Sequence, residues 1–283
     1  MSLKAWWVLL LLFVSFPATA DVQLAALPGH WGLVIGNAYY GSSFSLKHAI
    51  ADANLMQEVL EKARFQTTQI LEATYCETME AFADLVNEMA SERDKNPGID
   101  QVVVIYYSGH GAVVPDLNGD EQDGLDGAIV PVDVELPSLA RAIPDDLLSA
   151  WLDQLGRDTK VVVILDCGNM GAKGLAAPGR LILAGSAKEQ CSYEDEQLAH
   201  GVFTYYLVDG LRKGEKNNNG KISLQAAFDY AQKHVSEYVK DRLNGKQGAE
   251  ITDGIGQPAF LFNDPAKCPT LPISGESSTA QSR

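Results

Sequence analysis

Gln101-Val-Val-Val-Ile-Tyr-Tyr-Ser108-Gly109-His110-Gly111 is an apolar run that breaks into a small polar turn carrying a histidine. Lys160-Val-Val-Val-Ile-Leu-Asp166-Cys167-Gly168-Asn169-Met170-Gly171 repeats the design further along the chain. Neither run alternates apolar with polar residues. That is the pattern of strands buried on both faces, and such strands belong to parallel sheets. Each run ends in a glycine-containing turn. In open α/β sheets ligands gather at the carboxyl ends of the strands, so these two turns are where function is expected.

Working outward, Trp31 to Asn37 reads as a first core strand and Phe65 to Leu71 as a second. Between them, Leu46 to Arg64 carries Ile50, Ala53, Leu55, Val59 and Leu60 at helical spacing. Thr78 to Arg93 reads as another helix, stopped by Asn96-Pro97-Gly98. After the His110 strand comes a long acidic loop, Pro115 to about Ile143, with a short strand at Ala128 to Pro131. Pro144-Asp145-Asp146 opens a helix through Leu155, with the proline in its first turn and the acids near its positive end. Arg180 to Gly185 is a further strand, Phe203 to Leu211 and Leu224 to Leu243 are helices, and Pro258 to Phe262 is a last strand. Strands alternating with helices predict an α/β fold: a mostly parallel sheet of about six strands in a three-layer α/β/α sandwich.

Lys4, the apolar run Ala5 to Phe16 and the Ala18-Thr19-Ala20 ending have the form of a secretory signal peptide, so residues 1–20 read as a leader. The run is short for a membrane span, which needs about 20 apolar residues. Localisation is then expected to be secreted or periplasmic, with no membrane association after cleavage. Residues 21–263 read as one domain, and 264–283, rich in Pro, Ser and Thr, as a disordered tail. The 283 residues carry a formal charge of −15. Nucleic-acid binding needs clustered Lys and Arg, so the balance argues against it and toward basic partners or plain solubility. The cysteines, Cys76, Cys167, Cys191 and Cys268, leave any disulfide pairing open. Cys167, at the end of a buried strand, reads as a packed thiol.

His110 sits between two glycines just past a strand, where the backbone can approach a ligand closely. Imidazole is a side chain that can act as a general base near neutral pH. A histidine that only completes the turn would look the same in isolation.

The residues around it point further. Ser108-Gly109-His110-Gly111 after Val-Ile-Tyr-Tyr, the helix segment Leu46-Lys-His-Ala-Ile-Ala-Asp52-Ala53 and the acidic stretch Asp120 to Asp133 stand in order along the chain. Gly201-Val-Phe-Thr-Tyr205 and Gln257-Pro258 follow. Together they resemble the caspase-like cysteine peptidases, most closely the metacaspase and bacterial orthocaspase branch, over roughly Trp31 to Phe262. The resemblance implies the caspase–haemoglobinase type of sandwich, with a large-subunit-like part at about 30–175 and a small-subunit-like part at about 176–263. It implies His110 as the base and position 168 as the nucleophile. That position is a glycine, and Asn169 and Met170 also depart from the family pattern. A thiolate must bond to the substrate carbonyl in this chemistry, and Gly168 has none. Cys167 lies one residue early and, by strand alternation, faces away from His110. The family's substrate pocket maps onto Asp52, Ser108 and Asp166, and two carboxylates there would select Lys or Arg.

Calcium is a theme of that branch, though no cofactor is required by the reading. Asp120, Asp123 and Asp126, with Asp116, Asn118 and Glu121, offer oxygens for a hard cation, and a solvated acidic lid would have the same composition. The segment from Glu215 to Ala226 looks like a decayed EF-hand loop, lacking the final glutamate. The function expected is that of a secreted, monomeric, caspase-like endopeptidase acting on basic peptide or protein substrates, in a form silenced at Gly168. The alternatives are a natural pseudopeptidase that binds peptides, and a peptidase using Cys167.

Overall fold

The computed structural model describes residues 25–41, 43–213 and 222–256, and the backbone of 260–262. The leader-like residues 1–20, the tail 264–283, Gln257-Pro258 and most of the EF-hand-like segment lie outside the described residues. In chain order the elements are β1 (His30–Gly36), α1 (Ala49–Lys62), β2 (Gln66–Leu71), α2 (Tyr75–Lys95), β3 (Val102–Ser108), β4 (Gly111–Pro115), β5 (Leu125–Ile129) and β6 (Ile143–Pro144). Then follow α3 (Asp145–Asp153), β7 (Lys160–Asp166), β8 (Arg180–Ala184), β9 (Glu194–Asp195), β10 (His200–Gly201) and α4 (Val202–Lys213). The last are β11 (Ile222–Ser223), α5 (Leu224–Leu243), β12 (Glu250–Asp253) and β13 (Phe260–Phe262).

The central sheet has six strands in the order β12-β8-β7-β3-β1-β2. Five are parallel, and β12 closes one edge antiparallel to β8. Period-two alternation splits the core in two. Val34, Val104, Tyr106, Val162 and Ile164 pack against α1, α4 and α5, while Leu33, Ile35, Val103, Ile105 and Val163 pack against α2 and α3. This is the expected three-layer α/β/α sandwich. The chain runs from β1 out to β2 and returns to the other side of β1 as β3. That reversal opens a crevice at the carboxyl end of the sheet, where such folds bind ligands.

Several local expectations change. Helix α2 starts at Tyr75 rather than Thr78, because Thr74 and Glu77 form a reciprocal capping box. Pro144 is the N-cap of α3, with extended backbone, rather than a residue of its first turn. The acidic loop is ordered by the antiparallel sheet β4-β5-β6, and its middle strand begins at Leu125, not Ala128. The last strand, β13, does not join the central sheet; it pairs with β11. The sixth place belongs to Glu250-Ile-Thr-Asp253, a short polar edge strand whose composition gives little apolar signal.

Candidate active site

Ser108 and Asp166 are the last paired residues of the parallel strands β3 and β7. His110 and Gly168 each lie two residues beyond that pair. The turns remain joined: the Gly109 N–H donates to the Asp166 carbonyl at 3.3 Å. The Gly111 backbone lies so near the Gly168 carbonyl that a side chain at 111 would collide with it. One cleft, about 200 Å³ in volume, is lined by Asp52, Ser108, His110, Asp166, Gly168 and Cys191, among others. The structure therefore brings together all five residues that the sequence nominated for catalysis and substrate binding.

His110 is held by its own surroundings. Its Nε2 lies 2.6 Å from the Phe44 carbonyl. A carbonyl only accepts, so Nε2 carries the hydrogen and the neutral ring keeps its lone pair on Nδ1. The ring packs on Tyr40 with centroids 4.6 Å apart. The Tyr40 hydroxyl accepts from the His110 N–H at 3.1 Å, and the Tyr107 hydroxyl donates to the His110 carbonyl at 2.8 Å. Turn and imidazole are thus fixed together.

No thiol faces this imidazole from β7. At Gly168 the backbone is not left-handed, and an added Cβ would meet the Gln190 carbonyl at 3.1 Å and the Cys191 Cα at 3.4 Å. A small side chain fits there after a shift of a few tenths of an ångström. Cys167 is 2% exposed and packs in the core on the α2/α3 side, as strand alternation predicts. Burial, and then the charge of Asp166, push its thiol up well beyond the usual range. It is an inert core thiol. Cys191, by contrast, is exposed and borders the cleft, a position the sequence gave no reason to single out. Among the described residues Cys76, Cys167 and Cys191 are free thiols.

The acidic pocket lies on the α1/α4 side. Asp52 receives His200 Nδ1 at 2.8 Å, the Gly201 N–H at 3.0 Å from each oxygen, and the Ser108 hydroxyl at 3.1 Å. Asp166 receives the Ser192 hydroxyl on one oxygen at 2.6 Å, and the Thr204 N–H and hydroxyl on the other at 2.9 and 2.6 Å. Both acids are buried. Burial raises the Asp52 pKa to about 6, against the hydrogen bond from His200 and with help from the charge of Asp166. Burial also raises Asp166, opposed by Ser192 and Thr204. Gly201 stands between the two carboxylates: a Cβ there would strike Asp166 Oδ2 and come within 2.8 Å of Asp52 Oδ2. Glycine keeps the space open. His200 and Ser192 were missed by sequence reasoning, and Thr204 lay inside the Gly201–Tyr205 stretch without a role assigned to it.

The acidic hairpin gathers carboxylates differently from the sequence expectation. Asp116, Asp120, Asp126 and Asp146 bring oxygens within 4.8 Å of one another, and Glu121, Asp126 and Asp145 form an overlapping group. Asp123 is not among them, because its carboxylate is taken by the Lys188 ammonium at 2.8 Å. Asp126 is 2% exposed, and its Oδ1 has no hydrogen-bond partner. The Glu121 pKa is pushed up to about 8, first by its hydrogen bond with Asp120, and that of Asp145 to about 6, first by burial. Clustered oxygens, one of them buried and orphaned, fit a hard divalent cation.

Comparison with known proteins places these features in a family. Residues 30–258 match the family model described as the caspase domain. The chain is 26% identical over 169 residues to Metacaspase-1 of Kluyveromyces lactis, covering 58% of this chain and 38% of that one. It is 31% identical over 157 residues to Metacaspase-3 of Arabidopsis thaliana, covering 52% and 42%. The matches thus span about two fifths of those relatives' length. A crystal structure of a Geobacter sulfurreducens protein superposes with a TM-score of 0.55 at 19% identity, over 87% of this chain and 98% of that one, which is a likeness of fold.

Proposed function

The chain belongs to the caspase-domain family, and we propose that it is a metacaspase-like peptidase scaffold whose cleft takes a Lys or Arg side chain and whose hydrolysis is silenced at Gly168. The observation that supports this most is the shared register of the two turns: His110 and Gly168 follow the Ser108–Asp166 pair by equal steps and border one cleft. A basic side chain enters beside Asp166 and Asp52, attracted by charge-assisted hydrogen bonding. The scissile carbonyl then lies over position 168. With a cysteine there, His110 Nδ1 takes the thiol proton, the sulfur bonds to the carbonyl carbon, and the leaving amine receives the proton from the imidazolium. With glycine, the peptide is held and released uncleaved.

A divalent cation belongs to the same proposal. Asp116, Asp120, Asp126 and Asp146 would hold it; it would supply charge compensation and stiffen the β4-β5 hairpin beside the cleft. Export to the periplasm or the medium, on the strength of the leader-like residues 1–20, completes the reading.

A second reading, a natural peptide-binding pseudopeptidase, draws on Asn169 and Met170. Asn169 adopts φ 66°, a left-handed turn that asparagine tolerates, and its N–H donates to the Gln190 carbonyl at 2.8 Å. Met170 is buried in the core. The turn is settled around the residues it has.

The test is hydrolysis of a fluorogenic Arg or Lys peptide by the unaltered chain and by Gly168→Cys, in reducing buffer, with and without calcium. Activity orders of magnitude higher in Gly168→Cys is expected, since dyad members act as a unit. A folded Gly168→Cys chain with no activity would favour the pseudopeptidase.

A further inference from the structure

An ionised carboxylate offers roughly four acceptor sites, two on each oxygen. Asp52 has two contacts on each oxygen, made by three donors because the Gly201 N–H is shared. Oδ1 receives His200 Nδ1 and the Gly201 N–H; Oδ2 receives the same N–H and the Ser108 hydroxyl. Asp166 differs. Its Oδ2 receives both Thr204 groups, but Oδ1 receives only the Ser192 hydroxyl among the described residues. Ser192 is itself fixed, accepting from Gln247 Nε2 at 3.0 Å. The two acids of the pocket therefore have different tasks. Asp52 has both oxygens doubly contacted, whereas Asp166 keeps one oxygen with a single donor, open to a guest.

We propose that His200 is the positioning residue of this pocket: by donating Nδ1–H to Asp52 it keeps that acid ionised and turned onto Gly201 and Ser108, leaving Asp166 Oδ1 as the acceptor that meets the guest's cation. The inference rests on the basic-side-chain reading of the cleft and deepens it. His200 is suited to the task, being 8% exposed and held on the two-residue strand β10, whose pairing with β9 brings it over α1. Its hydrogen bond is the largest influence opposing the burial that raises Asp52. Among the described residues, the other titratable groups that interact with Asp52 are Tyr106 on β3 and Asp166 on β7, while His48 caps the start of α1 and Glu194 lies on β9, which pairs with the strand of His200. Of these, Asp166 raises Asp52 further, and Tyr106 is held neutral by burial. Glu194 accepts the Lys47 and His48 N–H groups at 2.7 and 2.9 Å, so its carboxylate is directed to the start of α1.

The experiment measures agmatine binding by calorimetry from pH 5 to 8, on the full chain and on His200→Ala, His200→Asn and Asp166→Asn. In the unaltered chain, affinity falls as pH drops through about 6, where Asp52 gains its proton. In His200→Ala the midpoint of that fall moves upward by about one pH unit. His200→Asn, which can still donate an N–H, restores it in part. Asp166→Asn weakens binding by about 100-fold or more throughout, as removal of a charge-assisted partner should. A midpoint unmoved in a folded His200→Ala chain overturns the proposal, as does strong binding by Asp166→Asn. If the unaltered chain binds no agmatine at any pH, the basic-pocket reading fails, and the Asp52 carboxyl titration followed by carbon NMR decides for His200. An upward shift in His200→Ala then upholds its positioning role, and no shift removes it.

Discussion

Gly168 and Cys191 are neighbours across the cleft, and that closeness matters for restoring activity. A Cβ at 168 would sit 3.4 Å from the Cys191 Cα, so the two Cα atoms are at most about 5 Å apart, and disulfides join Cα atoms about 4.4–6.8 Å apart. Gly168→Cys is therefore expected to oxidise onto Cys191 in air, masking the new nucleophile. Intact-mass measurement should show the loss of two hydrogens, and dithiothreitol should release the activity. The double variant Gly168→Cys/Cys191→Ser should be active without reductant; equal activity of the single variant with and without reductant would show that the thiols do not meet. At this scale the sequence was legible where one residue type has one use. Glycine cannot be a nucleophile, and strand alternation alone turned Cys167 away from His110. It was not legible at His200 or Cys191. A solitary histidine on a two-residue strand has no periodicity around it, and the place of Cys191 depends on a turn that arrives from β8.

The strands were readable because Val/Ile runs buried on both faces have little other use in a chain of this length. The ends of the helices were less so. The Thr74-x-x-Glu77 signal was present in the sequence, but the apolar period begins only at Thr78. In the structure the Thr74 hydroxyl accepts from the Glu77 N–H at 3.3 Å, and the Glu77 carboxylate accepts from the Thr74 N–H at 2.9 Å. Thr74→Ala removes one half of this exchange and should cost about 1 kcal/mol of stability. Urea denaturation would record it as a lower midpoint with unchanged slope; no change would mean that α2 is held by its packing alone. Of the β4-β5-β6 sheet only part of β5 was expected, and β12 was missed, for a common reason. Their runs are short and interrupted by glycine, proline or acids, so nothing in them alternates strongly, and their pairing is set by context rather than by pattern.

Over the whole molecule, acids outnumber bases enough to give −15, and several acids are buried or crowded. Their folded pKa values lie above the unfolded ones: Asp52 and Asp145 rise from 3.8 to about 6, and Glu121 from 4.5 to about 8. Between each pair of values the folded chain binds more protons than the unfolded one, so stability falls as pH rises through that window. The stabilisation from holding these protons is complete below about 4 and lost above about 6 for the two aspartates, and above about 8 for Glu121. In a chelator, the melting temperature should be higher at pH 5 than at pH 8. Calcium should raise the value at pH 8 more than at pH 5, by binding the folded state, and Asp126→Asn should blunt that rise. A melting temperature that climbs from pH 5 to pH 8 in chelator would contradict this account of the acids.

The pocket also joins distant stretches of chain. Asp52 finds its donors at His200 and Gly201, and Asp166 finds one of its partners at Thr204. Each acid is contributed by the first part of the chain and draws most of its donors from the second. A ribosome-bound chain that ends before residue 192 has, of these donors, only the Ser108 hydroxyl to offer. Forming this pocket therefore requires both parts of the chain, since its hydrogen bonds tie residues 148 and 149 positions apart.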